Sequence, residues 1–168
     1  MNFIFHRSTR IRVVRHLHLV VLTFLLYVVS AVSAPSSDLL PGLWEQFDDK
    51  SGKLQALIRV SKLADGTYAG LVEKIIVEPG EDPNPRCEKC TDHRRDMPVL
   101  GMQIISGLKR TGDATYANGW ILDPDEGESY RLRMSVGIDG NNLDVRGYVG
   151  ISLFGRTQIW RRSTNLQK

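Results

Sequence analysis

Apolar and polar residues alternate in short bursts along most of this chain. Tyr130, Leu132, Met134 and Val136 alternate with Ser129, Arg131, Arg133 and Ser135, which gives a strand one apolar and one solvated face. Leu54, Ala56, Ile58 and Val60 repeat the pattern against Gln55, Arg59 and Ser61, with Leu57 the exception, and Leu143 and Val145 alternate with Asp144 and Arg146. From Pro41 onward no long segment has helical periodicity. The punctuation is regular: Asp49-Lys50-Ser51-Gly52, Ala64-Asp65-Gly66, Thr111-Gly112-Asp113, Asp123-Pro124-Asp125-Glu126-Gly127 and Asp139-Gly140-Asn141-Asn142. Asp and Asn tolerate the left-handed region, Pro presets φ and Gly takes positive φ without a Cβ clash, so each cluster has hairpin chemistry.

Strands are therefore predicted over 43–48, 54–62, 66–77, 99–109, 114–122, 128–137, 142–149 and 156–162. Eight sequential strands joined mostly by tight hairpins form an up-and-down meander, which loses its exposed edges by closing into a barrel. The predicted fold is all-β, an eight-stranded antiparallel barrel, with one long connection from Glu78 to Pro98 that contains both cysteines.

The N-terminus follows another pattern. Arg7, Arg10, Arg12 and Arg15 form a basic head, Leu19 to Val32 is a mostly apolar run without charge, and the small residues Ser33 and Ala34 follow. This is the pattern of a secretory signal peptide. At 14 residues the run would be about 21 Å as a helix, short for a span of ~20 residues, although an uncleaved anchor is the other reading. Pro35 would hinder cleavage after Ala34, so Ser33 or Ala31 is the expected last residue removed. The predicted organisation is a signal peptide at 1–33, a linker at 34–41, a barrel domain at 42–163 and a tail at 164–168, in a protein exported to the periplasm or beyond.

That division changes the charge. Four of the 22 basic residues and none of the 19 acidic ones lie in the leader, so the whole-chain charge of +3 becomes −1 for the rest, 18 against 19. The basic surplus that would have suggested nucleic acid leaves with the leader. His6, His16 and His18 leave too, so His93 is the only histidine of the mature chain. A multi-histidine metal site is thereby excluded, as is a Ser-His-Asp triad not served by His93.

Gly42-Leu43-Trp44 opens the first strand and arginines sit on the last. This combination resembles the lipocalin and avidin group, in which a cation lies over the indole and closes one end of the barrel. Arg161 is the expected cation, with Arg156 second. The closing run from Val145 to Arg161, taken with Gly42-Leu43-Trp44, Leu100-Gly101-Met102 and the hairpin Asp123-Pro124-x-x-Gly127-x-x-Tyr130, closely resembles domain-of-unknown-function family 2147. These are small exported bacterial proteins, and the resemblance covers essentially the whole mature chain. It implies a lipocalin-like barrel and carries no assigned activity or catalytic residue.

Candidate chemistry is sparse. Cys87 and Cys90 are expected to form a disulfide in an oxidising compartment, stiffening the long connection. A redox pair is the alternative, though no helix follows to depress a thiol pKa. Zinc held by Cys87, Cys90 and His93 is a third reading, with Asp92 or Asp96 as fourth ligand. The carboxylates Asp123, Asp125, Glu126 and Glu128 lack calcium-loop spacing and are expected to solvate a turn. Arg131, Arg133 and Arg146 are expected on the solvent face, paired with Asp144 and Glu128, an inverted register making them an inward anion site instead. Ile151, Leu153 and Phe154 are expected to plug one end of the barrel, or else to lie exposed at its rim.

Two functions of different kinds fit. An eight-stranded barrel can hold one small ligand, and Trp44, Ile58, Val60, Leu132, Met134 and Val145 are the expected wall for an apolar or amphipathic guest. Otherwise the same residues form a solid core, and the long loop or the Gly147–Gly155 bend meets another envelope protein. No cofactor and no nucleic-acid partner are implied, membrane contact is expected only through the leader, and nothing points to an enzyme.

Overall fold

The computed structural model describes residues 37–164; the leader at 1–33 and all but the first residue of the 164–168 tail lie outside the described residues. Eight strands run β1 (Gly42–Phe47), β2 (Leu54–Lys62), β3 (Tyr68–Ile75), β4 (Gln103–Arg110), β5 (Thr115–Asp123), β6 (Glu128–Val136), β7 (Asn142–Tyr148) and β8 (Gly155–Arg162). Each pairs antiparallel with its sequence neighbour, and β8 pairs with β1 to close the barrel. Strand boundaries differ from expectation mainly around the long connection. Val99 to Met102 form a turn with Gly101 at φ 80, which starts β4 at Gln103.

The interior is layered. Val60, Tyr68, Leu108, Tyr116, Met134, Leu143 and Trp160 pack around Trp44 at the end where the chain enters β1. Ile58, Val72, Ile105, Leu132 and Val145 form a buried middle layer. These residues alternate along their strands as the binary pattern requires. Bulges break the alternation in several strands, among them β3, where Ile58 and Leu57 pair with Val72 and Lys74. In β4 Gly107 takes φ 62, and in β5 Asn118 takes φ 64, so each strand keeps its apolar side inward across an extra residue. Gly119, just after the β5 bulge, lies against Leu108, and a Cβ there would sit 2.8 Å from the Leu108 backbone. Gly119→Ala is therefore expected to cost about 1–3 kcal/mol by overpacking, read as a lower urea midpoint at unchanged m-value.

Residues 37–41, which the sequence assigns to a linker, fold across the end of the barrel beside Trp44. Leu40 is fully buried, its carbonyl accepts the Trp44 indole N–H at 2.9 Å, and Asp38 accepts from Tyr68 at 2.5 Å and Tyr116 at 2.8 Å. This end is closed. The β1–β2, β3–β4, β5–β6 and β7–β8 connections all lie at the other.

Candidate binding site

The closed end is sealed by a cation over an indole, and the cation is Arg162 rather than Arg161. The Arg162 guanidinium lies 4.2 Å from the Trp44 ring centre. It donates to the carbonyls of Gly140 at 2.6 Å, Pro41 at 3.3 Å and Leu39. Burial pushes its pKa below the usual guanidinium value. Strand parity decides between the neighbours: Trp160 points inward and is buried, so Arg162 does too. Arg161 points outward, 5.1 Å from the Phe47 ring. Arg156, the second candidate, pairs with Asp49 at the opposite end. The same contact explains Gly42, since a Cβ there would lie 2.5 Å from Arg162 Nη1, at a φ of 147.

All six residues expected to line a ligand wall belong to the packed interior. Trp44, Ile58, Val60, Leu132, Met134 and Val145 are between 0% and 3% exposed. Ile58, Leu132 and Val145 form the middle layer, whereas Trp44, Val60 and Met134 lie nearer the closed end, below it.

Above the middle layer the interior changes character. Continuing each strand's inward register brings Ala56 on β2, Ile75 on β3, Ile121 on β5, Tyr130 on β6, Gly147 on β7 and Gln158 on β8 to the open end. Each is partly exposed, while the layers beneath are buried. A Cβ on Gly147 would lie 3.5 Å from Tyr130 Cβ and 3.7 Å from Ile121 Cγ2, which places the three around one space. The mouth is two-sided. Ala56, Ile75 and Ile121 are apolar and pack on the core. Opposite them, Gln158 accepts the Trp160 indole N–H at 3.1 Å, and the Tyr130 hydroxyl donates to Glu126 at 2.6 Å. That hydrogen bond holds the Tyr130 pKa up at about 12. Nearby, burial pushes the Asp123 carboxyl up, against N–H donors from Glu126 and Asp125 that hold it down.

The long connection covers the outside of the barrel. Ile104 and Leu122 face outward by register, yet both are buried. Over this flank Cys87 and Cys90 form a disulfide and are themselves buried. Cys87 Sγ lies 3.3 Å from the Pro124 carbonyl oxygen, and Gly127 packs so closely on the Lys89 backbone that a Cβ has no room. Arg94 reaches Ser129 at 3.4 Å. The short loop thus pins a flap onto the β5–β6 hairpin. Replacing both cysteines by serine is expected to cost about 2 kcal/mol from loop entropy, and amide exchange should rise in 86–98 while the barrel ladders stay protected. His93 is exposed on this flap, and among the described residues no group of three or more His, Cys, Asp or Glu is placed to hold a metal ion.

One expectation about the surface is corrected, and one pair of alternatives is decided for exposure. Arg131, Arg133 and Arg146 do face solvent, but not as ion pairs with Asp144 and Glu128. Arg131 lies 4.4 Å from the Trp120 ring centre, and Arg146 donates to the carbonyls of Ser152 at 2.7 Å and Leu153 at 3.2 Å and to Thr157 at 2.7 Å. Ile151, Leu153 and Phe154 do not plug the barrel: they are 61%, 76% and 70% exposed on the bend between β7 and β8. With no strand register to hold them inward, they lie exposed on the connection at the open end.

A family described as "Uncharacterized protein conserved in bacteria (DUF2147)" matches residues 42–162. A solved structure, HP1028 from Helicobacter pylori, described as belonging to the lipocalin family, is similar at 17% identity, with a TM-score of 0.65 over 75% of this chain and 84% of that one. No curated protein matches the chain.

Proposed function

We propose that this chain, which belongs to the DUF2147 family of bacterial proteins, is an exported carrier that holds a small amphipathic ligand in the open half of its barrel. The supporting observation is the change in accessibility along the interior: a ring of inward residues open to solvent above a fully buried floor. An open barrel end can take a small guest, with a few polar groups fixing its orientation. The apolar side of the guest would lie against Ala56, Ile75 and Ile121, and its hydrogen-bonding side against Tyr130 and Gln158. Export is supported by the basic head and apolar run of the leader and by the Cys87–Cys90 disulfide. Binding rather than catalysis is favoured because His93, the one histidine after the leader, sits on the outer flap and not at the mouth.

A structural envelope protein without a ligand is the second reading, favoured by the complete packing of the two lower layers. Native mass spectrometry of unreduced protein recovered from the envelope separates the two. An added mass is expected on the wild type and on Gly147→Ala, and none on Gly147→Phe, whose ring would fill the mouth. Gly147 suits this test because its neighbours leave room for a Cβ and its φ is not positive. Met134 does not, since it is buried in the lowest layer. A bare mass for the wild type would sink the carrier reading.

A further inference from the structure

The apolar bend between β7 and β8 has part of its backbone paired, by its own residues and by Arg146. Val149 N–H donates to Phe154 at 3.2 Å, Phe154 N–H to Ile151 at 3.1 Å, and Arg146 takes the carbonyls of Ser152 and Leu153. Backbone groups paired in this way can leave water at little cost. From Gly147 to Gly155 there is no charged side chain, and Arg146 and Arg156 bound the segment. Val149, Ile151, Leu153 and Phe154 project from it, all between 61% and 76% exposed.

One register row back from the bend, three strands present a second feature. Trp120 on β5 pairs with Arg131 on β6, which pairs with Tyr148 on β7, and all three face outward. The guanidinium lies over the exposed indole. Arg133 follows on the same face, opposite Arg146. Apolar tip, aromatic row and unneutralised arginines succeed one another along one flank, the order in which hydrocarbon, interface and anionic headgroups succeed one another at a membrane surface.

We propose that the β7–β8 bend inserts into the interfacial layer of an anionic lipid membrane, with the Trp120–Arg131–Tyr148 row at headgroup depth. The inference does not depend on a ligand in the barrel. It assigns the barrel a membrane contact of its own, separate from the leader, and places the mouth beside the lipid surface.

The test uses residues 37–168, a single compact unit whose described core is complete in itself, so that the leader cannot supply the binding. Phosphatidylcholine vesicles with and without phosphatidylglycerol are the probe, read by flotation and by indole emission. Trp120 is the exposed one of three tryptophans, Trp44 and Trp160 being buried, so an emission blue-shift and quenching by brominated lipid report on that row. The wild type is expected to bind the anionic vesicles. Leu153→Asp with Phe154→Asp should reduce binding at least about tenfold, at an unchanged unfolding midpoint. Arg131→Glu with Arg133→Glu should weaken binding to anionic vesicles alone. Absence of wild-type binding, or equal binding by the aspartate variant, would overturn the proposal. So would a wild-type dimer that the aspartate variant converts to monomer without any vesicle binding, which would make the bend a contact between copies.

Discussion

Arg162→Ala is expected to lower stability by about 3–5 kcal/mol, whereas Arg161→Ala should change it by no more than about 0.5 kcal/mol. Arg162 carries charge-assisted hydrogen bonds to three carbonyls, those of Leu39, Pro41 and Gly140, each group being otherwise unpaired at the closed end. Its stacking on the Trp44 indole adds about 1–2 kcal/mol in that desolvated position. Arg161 has only the exposed face of Phe47. Adjacent arginines with a difference this large separate the roles of β8's two faces, and paired thermal melts measure it. A similar loss from both substitutions would mean that the cation seals the barrel only loosely.

The second large effect is centred on Asp38. Its carboxylate takes the hydroxyls of Tyr68 and Tyr116, whose rings meet edge to face at 5.1 Å, and Lys62 Nζ stands 3.8 Å away. Burial alone would push the Asp38 pKa up; the two tyrosine hydroxyls, the Leu40 N–H and the Lys62 charge outweigh it and hold the carboxyl below its usual value. Burial, with the carboxylate next, pushes Tyr68 up to about 12 and Tyr116 higher. Asp38 therefore contributes stability that is present above the unfolded carboxylate pKa and is lost as pH falls through its lower folded value. The tyrosines contribute stability that is present below their unfolded value near 10 and is lost as pH rises through 12. Asp38→Ala strands two hydroxyls and is expected to cost about 3 kcal/mol, while flattening the acid limb of a plot of unfolding free energy against pH. An unaltered acid limb would show that the carboxylate is not what fixes residues 37–41 in place.

Most of the barrel was legible from alternation, because a closed meander leaves each strand one dry and one wet side. Legibility failed where that premise fails. On β8, Ile159 is outward and exposed while Gln158 is inward, so reading the apolar residue as inward puts Arg161 inside and Arg162 outside. Trp160 carried the correct signal, being the largest apolar residue on the strand. The mouth was only half visible: alternation put Tyr130 and Ala56 on inward faces but could not say that they meet water, and Gln158 breaks the rule that inward means apolar. The bend was left between two readings, plug or exposed rim, because alternation says nothing about residues outside a ladder. The disulfide was legible from compartment and spacing, but its place on the flank of β4 and β5 was not. Only the buried outward pair Ile104 and Leu122 shows that something must cover that face.

The strap at 37–41 fixes how the molecule can be held. Ser163 donates its N–H to Leu43, and Arg162 grips Leu39 and Pro41, so the chain enters and leaves the barrel at the same pole. A biosensor surface or an affinity handle joined at either side would leave the opposite pole facing solution. For the same reason a short peptide joining Thr164 to Ser37 would turn the barrel into a continuous ring. New ends could then be opened in the exposed stretch from Glu78 to Asn84, a circular permutant that keeps every ladder intact.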